Sequence, residues 1–289
     1  MDRSKSNYRG KMKRKYDVLI QTMLILISCS AFNNVVHGQD SRKDTMPGKI
    51  IELSRGCKLV LDSTINLTDS VSIDIVDGIR KILPRVQELI PADSATIKLA
   101  ISSVNILPVW GIGARTISGF TDDHQVETVE IYYDPNNSNF RVELILRTLV
   151  HELHHVCRVR MPDFQLTLLE CMVNEGLADH FMLEVLKCEI TPFSSALTDE
   201  QIQQNIIRVK PFTRIKFESW TQEFNDKYFV PWMFGRTGDD PIPHWTGYSI
   251  GWRIVENYIR AHPEARASSL VFTSPEVIAS STPELKDYH

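Results

Sequence analysis

At 289 residues, 43% hydrophobic and 24% charged, the chain can bury a full core in one large domain or two small ones, and its composition is ordinary for a globular protein. The net charge of −4 comes with no basic stripe, and 13 glycines leave little room for a phosphate-cradling loop, which argues against nucleic-acid and nucleotide binding. Collagen-like, low-complexity and coiled-coil organisation are excluded on the same grounds.

The N-terminus departs from this average. Residues 1–17 hold seven Lys/Arg against two Asp, and from Val18 to Gly38 there is no Asp, Glu, Lys or Arg. A basic segment followed by a short apolar core ("VLIQTMLILIS") reads as an export signal, too short for a confident transmembrane helix. Two cleavage sites compete. "LISC" ending at Cys29 resembles a lipobox, which would make Cys29 a lipid anchor, whereas "VHG" before Gln39 resembles an ordinary small-residue site. Met12 is an alternative start, and a retained membrane anchor is the competing reading. The expected organisation is a signal over 1–38, a polar tether over 39–47 and a folded domain over 48–289, with the protein periplasmic or at the cell surface. Without residues 1–17 the counts become 25 Lys/Arg and 34 Asp/Glu, a charge of −9. Cys57, Cys157, Cys171 and Cys188 match no zinc-ribbon spacing, and buried free thiols are expected, clearest for Cys157 and Cys171 on apolar helices.

"GKIIELSRGCKLVL" (Gly48–Leu61) is strand material. Asp69–Ile90 has apolar residues at helical spacing, with Pro84 expected to kink or break it. Ala95–Ser103 is a strand, followed by a Gly-containing loop and a β-branched, aromatic strand, "VETVEIYYD" (Val126–Asp134). "PNNSN" (Pro135–Asn139) offers N-cap chemistry for the next helix, on which Val142, Ile145, Leu146, Leu149, Leu153 and Val156 form one apolar side. After a turn at Met161–Phe164, a second long helix spans about Leu166–Lys187 and stops before Thr191-Pro192. Helices near Thr198–Val209 and Gly247–His262 follow, with an aromatic-rich stretch between them. Strands first and helices afterwards is the α+β pattern.

The helix after "PNNSN" carries "LVHELHHVCRV". His151 and His155 are four residues apart, so their side chains lie about 6 Å along and about 40° around the helix. Both imidazoles can reach one Zn²⁺ at roughly 2.0–2.1 Å, while Glu152 points to the flank, where it can meet a water instead of the metal. The pentapeptide alone also fits a solvated His/Glu face. His154 could replace His155 as a ligand, but the i, i+4 pair aims its nitrogens better. A zinc site needs a third ligand, and "VNEGLADHF" (Val173–Phe181) offers Glu175, twenty positions after His155. Asp179 lies one turn further on the same face, placed to accept a ligand histidine's N–H. On so apolar a helix, an unpartnered Glu and Asp would be costly. His180 faces elsewhere and reads as a packing or surface residue.

His151-Glu152-x-x-His155 followed by Asn174-Glu175-x-x-x-Asp179 resembles the gluzincin metallopeptidases of the thermolysin type. With "GYSIGWRIV" added, the chain looks closer still to a bacterial family of predicted zinc-dependent proteases of unknown function. The resemblance spans roughly Gly48 to the C-terminus and is specific over Leu144–Lys187. It implies a zincin-like fold, with a small N-terminal mixed sheet, an active-site helix and a helical C-terminal part. It also implies His151, His155 and Glu175 as Zn²⁺ ligands, Glu152 as general base and Asp179 as partner of His151. Families of this type place a tyrosine and a histidine on the oxyanion. Tyr248 and, less directly, His244 are the nearest candidates, and no motif singles them out.

The expected activity is hydrolysis of a peptide or protein substrate by water that Glu152 activates, with "VETVEIYYD" as a possible edge strand for an extended peptide. The tryptophans (Trp220, Trp232, Trp245, Trp252) fit core packing better than a substrate cleft. An exported binding protein on the same scaffold, or a zinc hydrolase of a non-peptide bond, are the alternatives. Glu152 favours an enzyme, because a structural metal has no use for a carboxylate beside its ligand.

Overall fold

The computed structural model describes residues 49–101, 117–122, 127–136, 140–217 and 221–287; for 117–122 it describes the backbone only. The expected signal and tether, Cys29 and Trp220 lie outside these residues. None of the helices among them is long and apolar enough to cross a membrane.

The first strand segment forms a hairpin, β1 (Lys49–Glu52) antiparallel to β2 (Lys58–Leu61), turning through Ser54–Gly56. Helix α1 (Ser70–Leu89) then crosses over to β3 (Thr96–Ile101), parallel to β2. Pro84 does not break α1. It sits on the exposed side of the helix, as does Arg80, the residue whose carbonyl would otherwise accept from position 84. β4 (Ile117–Asp122) and β5 (Thr128–Tyr133) complete a mixed sheet in the order β1-β2-β3-β5-β4.

Two expectations are corrected here. "VETVEIYYD" is interior to the sheet, held by β3 on one side and β4 on the other, because both flanks of its backbone find partners. Among the described residues the strand at that end of the sheet is β4, from the stretch expected to be loop, whose "ISGFTD" carries a Gly and little hydrophobic alternation. Register sets the core: Leu59, Ile97 and Val129 lie side by side, as do Leu61, Leu99 and Ile131, all buried on one face. The other face carries the Lys98–Glu130 pair at 2.8 Å.

Helix α2 (Val142–Arg158) covers that buried face with Ile145, Leu149, Val150, Leu153, Val156 and Cys157, and packs against β4 and β5. Its N-cap is Arg141, which makes no side-chain cap; of "PNNSN", Asn137–Asn139 lie outside the described residues, and Asp134 instead accepts the N–H of Asn136 at 2.9 Å. A short strand β6 (Leu166–Thr167) leads into α3 (Leu168–Leu186), whose N-cap Thr167 accepts the N–H of Glu170. α3 is apolar on all sides because it is shared. Phe181 and Met182 join the core under the sheet, while Leu168, Leu169, Met172 and Leu177 join a second core.

That second core is built by α4 (Asp199–Val209), with Thr198 and Gln201 as a capping box, and by α5, a helical stretch over Gln222–Phe234 with a π turn at Asn225–Phe229. β7 (Lys216–Phe217) pairs with β6. α6 (Thr246–Ala261) packs on α3, and α7 (Pro275–Ala279) closes the far side. The expected α+β class holds, with one βαβ unit (β2-α1-β3) inside a sheet that precedes the helical part. The four cysteines after residue 48 are free; Cys57 and Cys157 are buried, Cys171 and Cys188 half-buried. Burial pushes the Cys157 thiol up to about 12, so it is inert packing.

Candidate metal centre

The centre lies where α2 meets α3. His151 and His155 leave α2 on one side because they are a turn apart, and the turn after Met161 folds α3 back antiparallel so that Glu175 meets them. His155 Nε2 stands 2.9 Å from His151 Nε2, His151 Nε2 3.2 Å from Glu175 Oε2, and His155 Nε2 3.7 Å from the same oxygen. Donors at about 2.0–2.1 Å from a tetrahedral ion are about 3.3 Å apart, so the observed spacings suit zinc.

The outer nitrogens strengthen the case. His151 Nδ1 donates to Asp179 Oδ1 at 2.9 Å, and His155 Nδ1 to the amide oxygen of Asn174 at 2.9 Å. With hydrogen on both Nδ1 atoms, each neutral ring turns the lone pair of Nε2 toward the other ring and toward a carboxylate. Three electron-rich atoms in contact require a positive charge among them. Titration expresses the same demand. Burial works against a charged His151, yet the Asp179 and Glu175 carboxylates hold its pKa well above the ordinary imidazole value. Burial likewise opposes ionisation of Glu175, but the two histidines pull its carboxyl far below the usual range. Asp179, 2% exposed, is also held low against its burial, by His151, Ser194 and Thr191.

The sequence reading named His151, His155, Glu175 and Asp179, and the structure brings all four together. Glu152, the next residue of α2, is 5% exposed. His154 is no ligand. It points into the protein against Phe181, ring centroids 5.5 Å apart, and neither of its nitrogens meets a hydrogen-bond partner among the described residues. Burial drives its pKa well below the ordinary value, so it stays neutral. His180 packs as expected, stacked on Trp252 at 3.7 Å with Nε2 3.3 Å from the Trp252 carbonyl.

Tyr248 and His244 stand near the start of α6, outside the triad of donors. The Tyr248 ring packs among Phe193, Phe234 and Trp245, and His244 Nδ1 donates to the Phe234 carbonyl at 3.0 Å. Of the described tryptophans, Trp232 and Trp245 are buried in the core and Trp252 is half-buried under His180. Three partners escaped the sequence reading. Asn174 was visible in "VNEGLADHF" but drew no role there, although it sits one residue from Glu175. Thr191 and Ser194, which bond Asp179, carry no signal beyond a helix-stopping Thr-Pro.

Residues 89–280 match the model of the DUF2268 family, described as a predicted Zn-dependent protease, which is well over half of the 289 residues. The chain belongs to this family. DUF2268 membership accounts for α2, α3 and the helical part together, and its predicted zinc dependence agrees with a donor set of two imidazoles and a carboxylate. The uncharacterized protein YjaZ of Bacillus subtilis is 28% identical over 127 residues, 42% of this chain and 45% of that protein. An aminopeptidase N family protein from Idiomarina loihiensis is similar with a TM-score of 0.40 and 13% identity, over 83% of this chain and 40% of that one. The chain spans under half the length of either protein.

Proposed function

We propose that this DUF2268 protein is a zinc-dependent peptidase in which His151, His155 and Glu175 hold the ion, Glu152 is the general base and Asp179 orients His151. The observation that carries the reading is the convergence of two Nε2 atoms and a carboxylate oxygen, all within 4.8 Å of one another, with Glu152 next to His151 in the chain and outside that donor set. A zinc ion held there supplies a Lewis acid and lowers the pKa of water to about 7. With the ion in place, Glu152 would be the residue that takes a proton from the attacking water and passes it to the leaving amine. Tyr248 and His244 are the proposed donors to the oxyanion, being the polar side chains of the aromatic cluster at the start of α6.

The substrate is an extended peptide. Of the two strands that end the sheet among the described residues, β1 and β4, it is β4 that packs beside α2, the helix of the two histidines, so its outer edge is the proposed place for the peptide backbone. Export, with Cys29 as a lipid anchor, belongs to the same proposal and is supported by the basic and apolar blocks of residues 1–38. Radiolabelled palmitate with Cys29→Ser beside the wild type decides the anchor.

The deciding experiment measures zinc content and hydrolysis of a broad peptide library by wild type and Glu152→Gln. Wild type is expected to bind one zinc and cleave. Glu152→Gln is expected to keep the metal and lose about 10²–10⁴-fold in kcat. A zinc-loaded wild type that cleaves nothing overturns the peptidase reading. Undiminished zinc affinity in Glu175→Ala overturns the ligand set.

A further inference from the structure

Asp179 has two carboxylate oxygens, and only Oδ1 serves His151. Oδ2 turns away from the metal centre and accepts two hydroxyls at once, Thr191 Oγ1 at 2.5 Å and Ser194 Oγ at 2.5 Å. Both come from the turn after α3, Thr191-Pro192-Phe193-Ser194, which is bound into a unit of its own. The Ser194 N–H reaches Thr191 Oγ1 at 3.3 Å, and the Ser195 N–H reaches the Thr191 carbonyl at 3.2 Å. The turn is in turn fastened to α6, where Ser249 Oγ donates to the Phe193 carbonyl at 3.0 Å. Ser194 is 2% exposed and Ser249 fully buried.

A buried carboxylate can rotate about its Cβ–Cγ bond, and with it the direction from which Oδ1 meets His151 Nδ1. Two charge-assisted bonds on Oδ2 remove that freedom and keep the oxygen satisfied at a buried position. From this geometry we infer that Thr191 and Ser194 are positioning residues for the metal centre, acting through Asp179 on the ring of His151. The inference rests on the zinc reading above and extends it by one layer, from the residue that orients a ligand to the turn that orients that residue. Outer partners of metal-binding histidines commonly change metal affinity by about 10–100-fold when removed.

The test uses the full-length protein stripped of metal, with zinc affinity measured by competition against a chromophoric chelator, alongside the Tm of the metal-free form. Thr191→Val/Ser194→Ala is expected to weaken zinc binding about 10–100-fold. Its Co²⁺-loaded form is expected to show a shifted visible spectrum, because His151 meets the ion at a changed angle. Ser195→Ala alters the same turn without touching Asp179 and is expected to bind as wild type does. Thr191→Ser, which keeps the hydroxyl, is expected to retain affinity that Thr191→Val loses. Should the double variant not fold, that pair and Ser194→Thr against Ser194→Ala give the same answer. Equal affinity and an unchanged cobalt spectrum in the hydroxyl-free variants, or equal losses with and without the hydroxyl, would overturn the positioning role while leaving the zinc reading intact. A wild type that binds no zinc overturns both.

Discussion

His151, His154 and His155 share little more than one turn of α2, yet each meets a different environment. His151 and His155 are satisfied on the outside by an oxygen and on the inside by each other and Glu175, whereas His154 is sealed against Phe181 with no hydrogen-bond partner among the described residues. What each does follows from its neighbours on α3, not from its own identity. His180 shows the same rule and carries a pH prediction. Burial between α3 and Trp252 lowers its pKa to about 4, below the ordinary 6.5. A histidine depressed in the folded state binds fewer protons there than when unfolded, so stability rises with pH between about 4 and 6.5 and is lost on acidification through that window. Replacing it by Phe keeps the stack and removes the titration. The Tm of His180→Phe, compared with wild type at pH 7 and pH 5, is expected to fall less, and parallel falls in both proteins would refute this. The comparison cancels the pH dependence of the proposed metal ligands, which both proteins share.

At the scale of elements, the crossing of α3 and α6 holds Glu175 in place. Gly176 and Gly251 let the two backbones touch: a Cβ on Gly251 would lie 1.9 Å from the Met172 carbonyl oxygen, and one on Gly176 2.3 Å from the Gly251 oxygen. Neither obstacle is a flexible side chain, so an added methyl must push the helices apart. Gly251→Ala is expected to cost about 3 kcal/mol, the upper part of the overpacking range, and to lower the Tm by about 6–12 °C. Zinc affinity is expected to fall with it, since Glu175 is next to the contact. A variant melting within about 2 °C of wild type would mean that the helices yield easily. The N-terminus of α2 shows how local signals can be overruled. "PNNSN" offers cap residues, but Arg141 occupies the cap position, and packing of α2 on the sheet holds the helix without one.

Across the whole molecule, Arg158 joins parts that sequence order keeps far apart. It is fully buried at the end of α2, forked onto Glu170 of α3 at 2.7 and 2.9 Å, with Nη1 within reach of the carbonyls of Leu270, Val271 and Thr273. Burial raises the pKa of Glu170, and Arg158 works against that rise. Arg158→Met leaves that carboxylate buried and unpaired, an expected loss of about 3–5 kcal/mol. Arg158→Met/Glu170→Leu is expected to recover part of it, since the unpaired charge goes but the three carbonyls still lack their donor. Urea unfolding of the three proteins measures this, and a double variant no better than the single one would show that the ion pair is not the source of the loss.

Much of the candidate metal centre was legible beforehand because helical geometry is local. A spacing of four residues puts His151 beside His155 and Glu175 beside Asp179 wherever the helix goes, and an apolar helix will not keep two carboxylates without partners. Two features depended on the fold. Which strand ends the sheet depended on hydrogen bonds between segments distant in the chain, so β5 proved interior and β4, with its Gly and weak pattern, the edge. The partners of His155 and Asp179, namely Asn174, Thr191 and Ser194, follow from how α3 and its closing turn lie against α2. The chain itself determined the chemistry available, two imidazoles and carboxylates at helical spacing. Only the tertiary structure decided which nitrogens face one another and which oxygens hold them there, because hydrogen bonds between separate elements follow positions that no spacing along one helix contains.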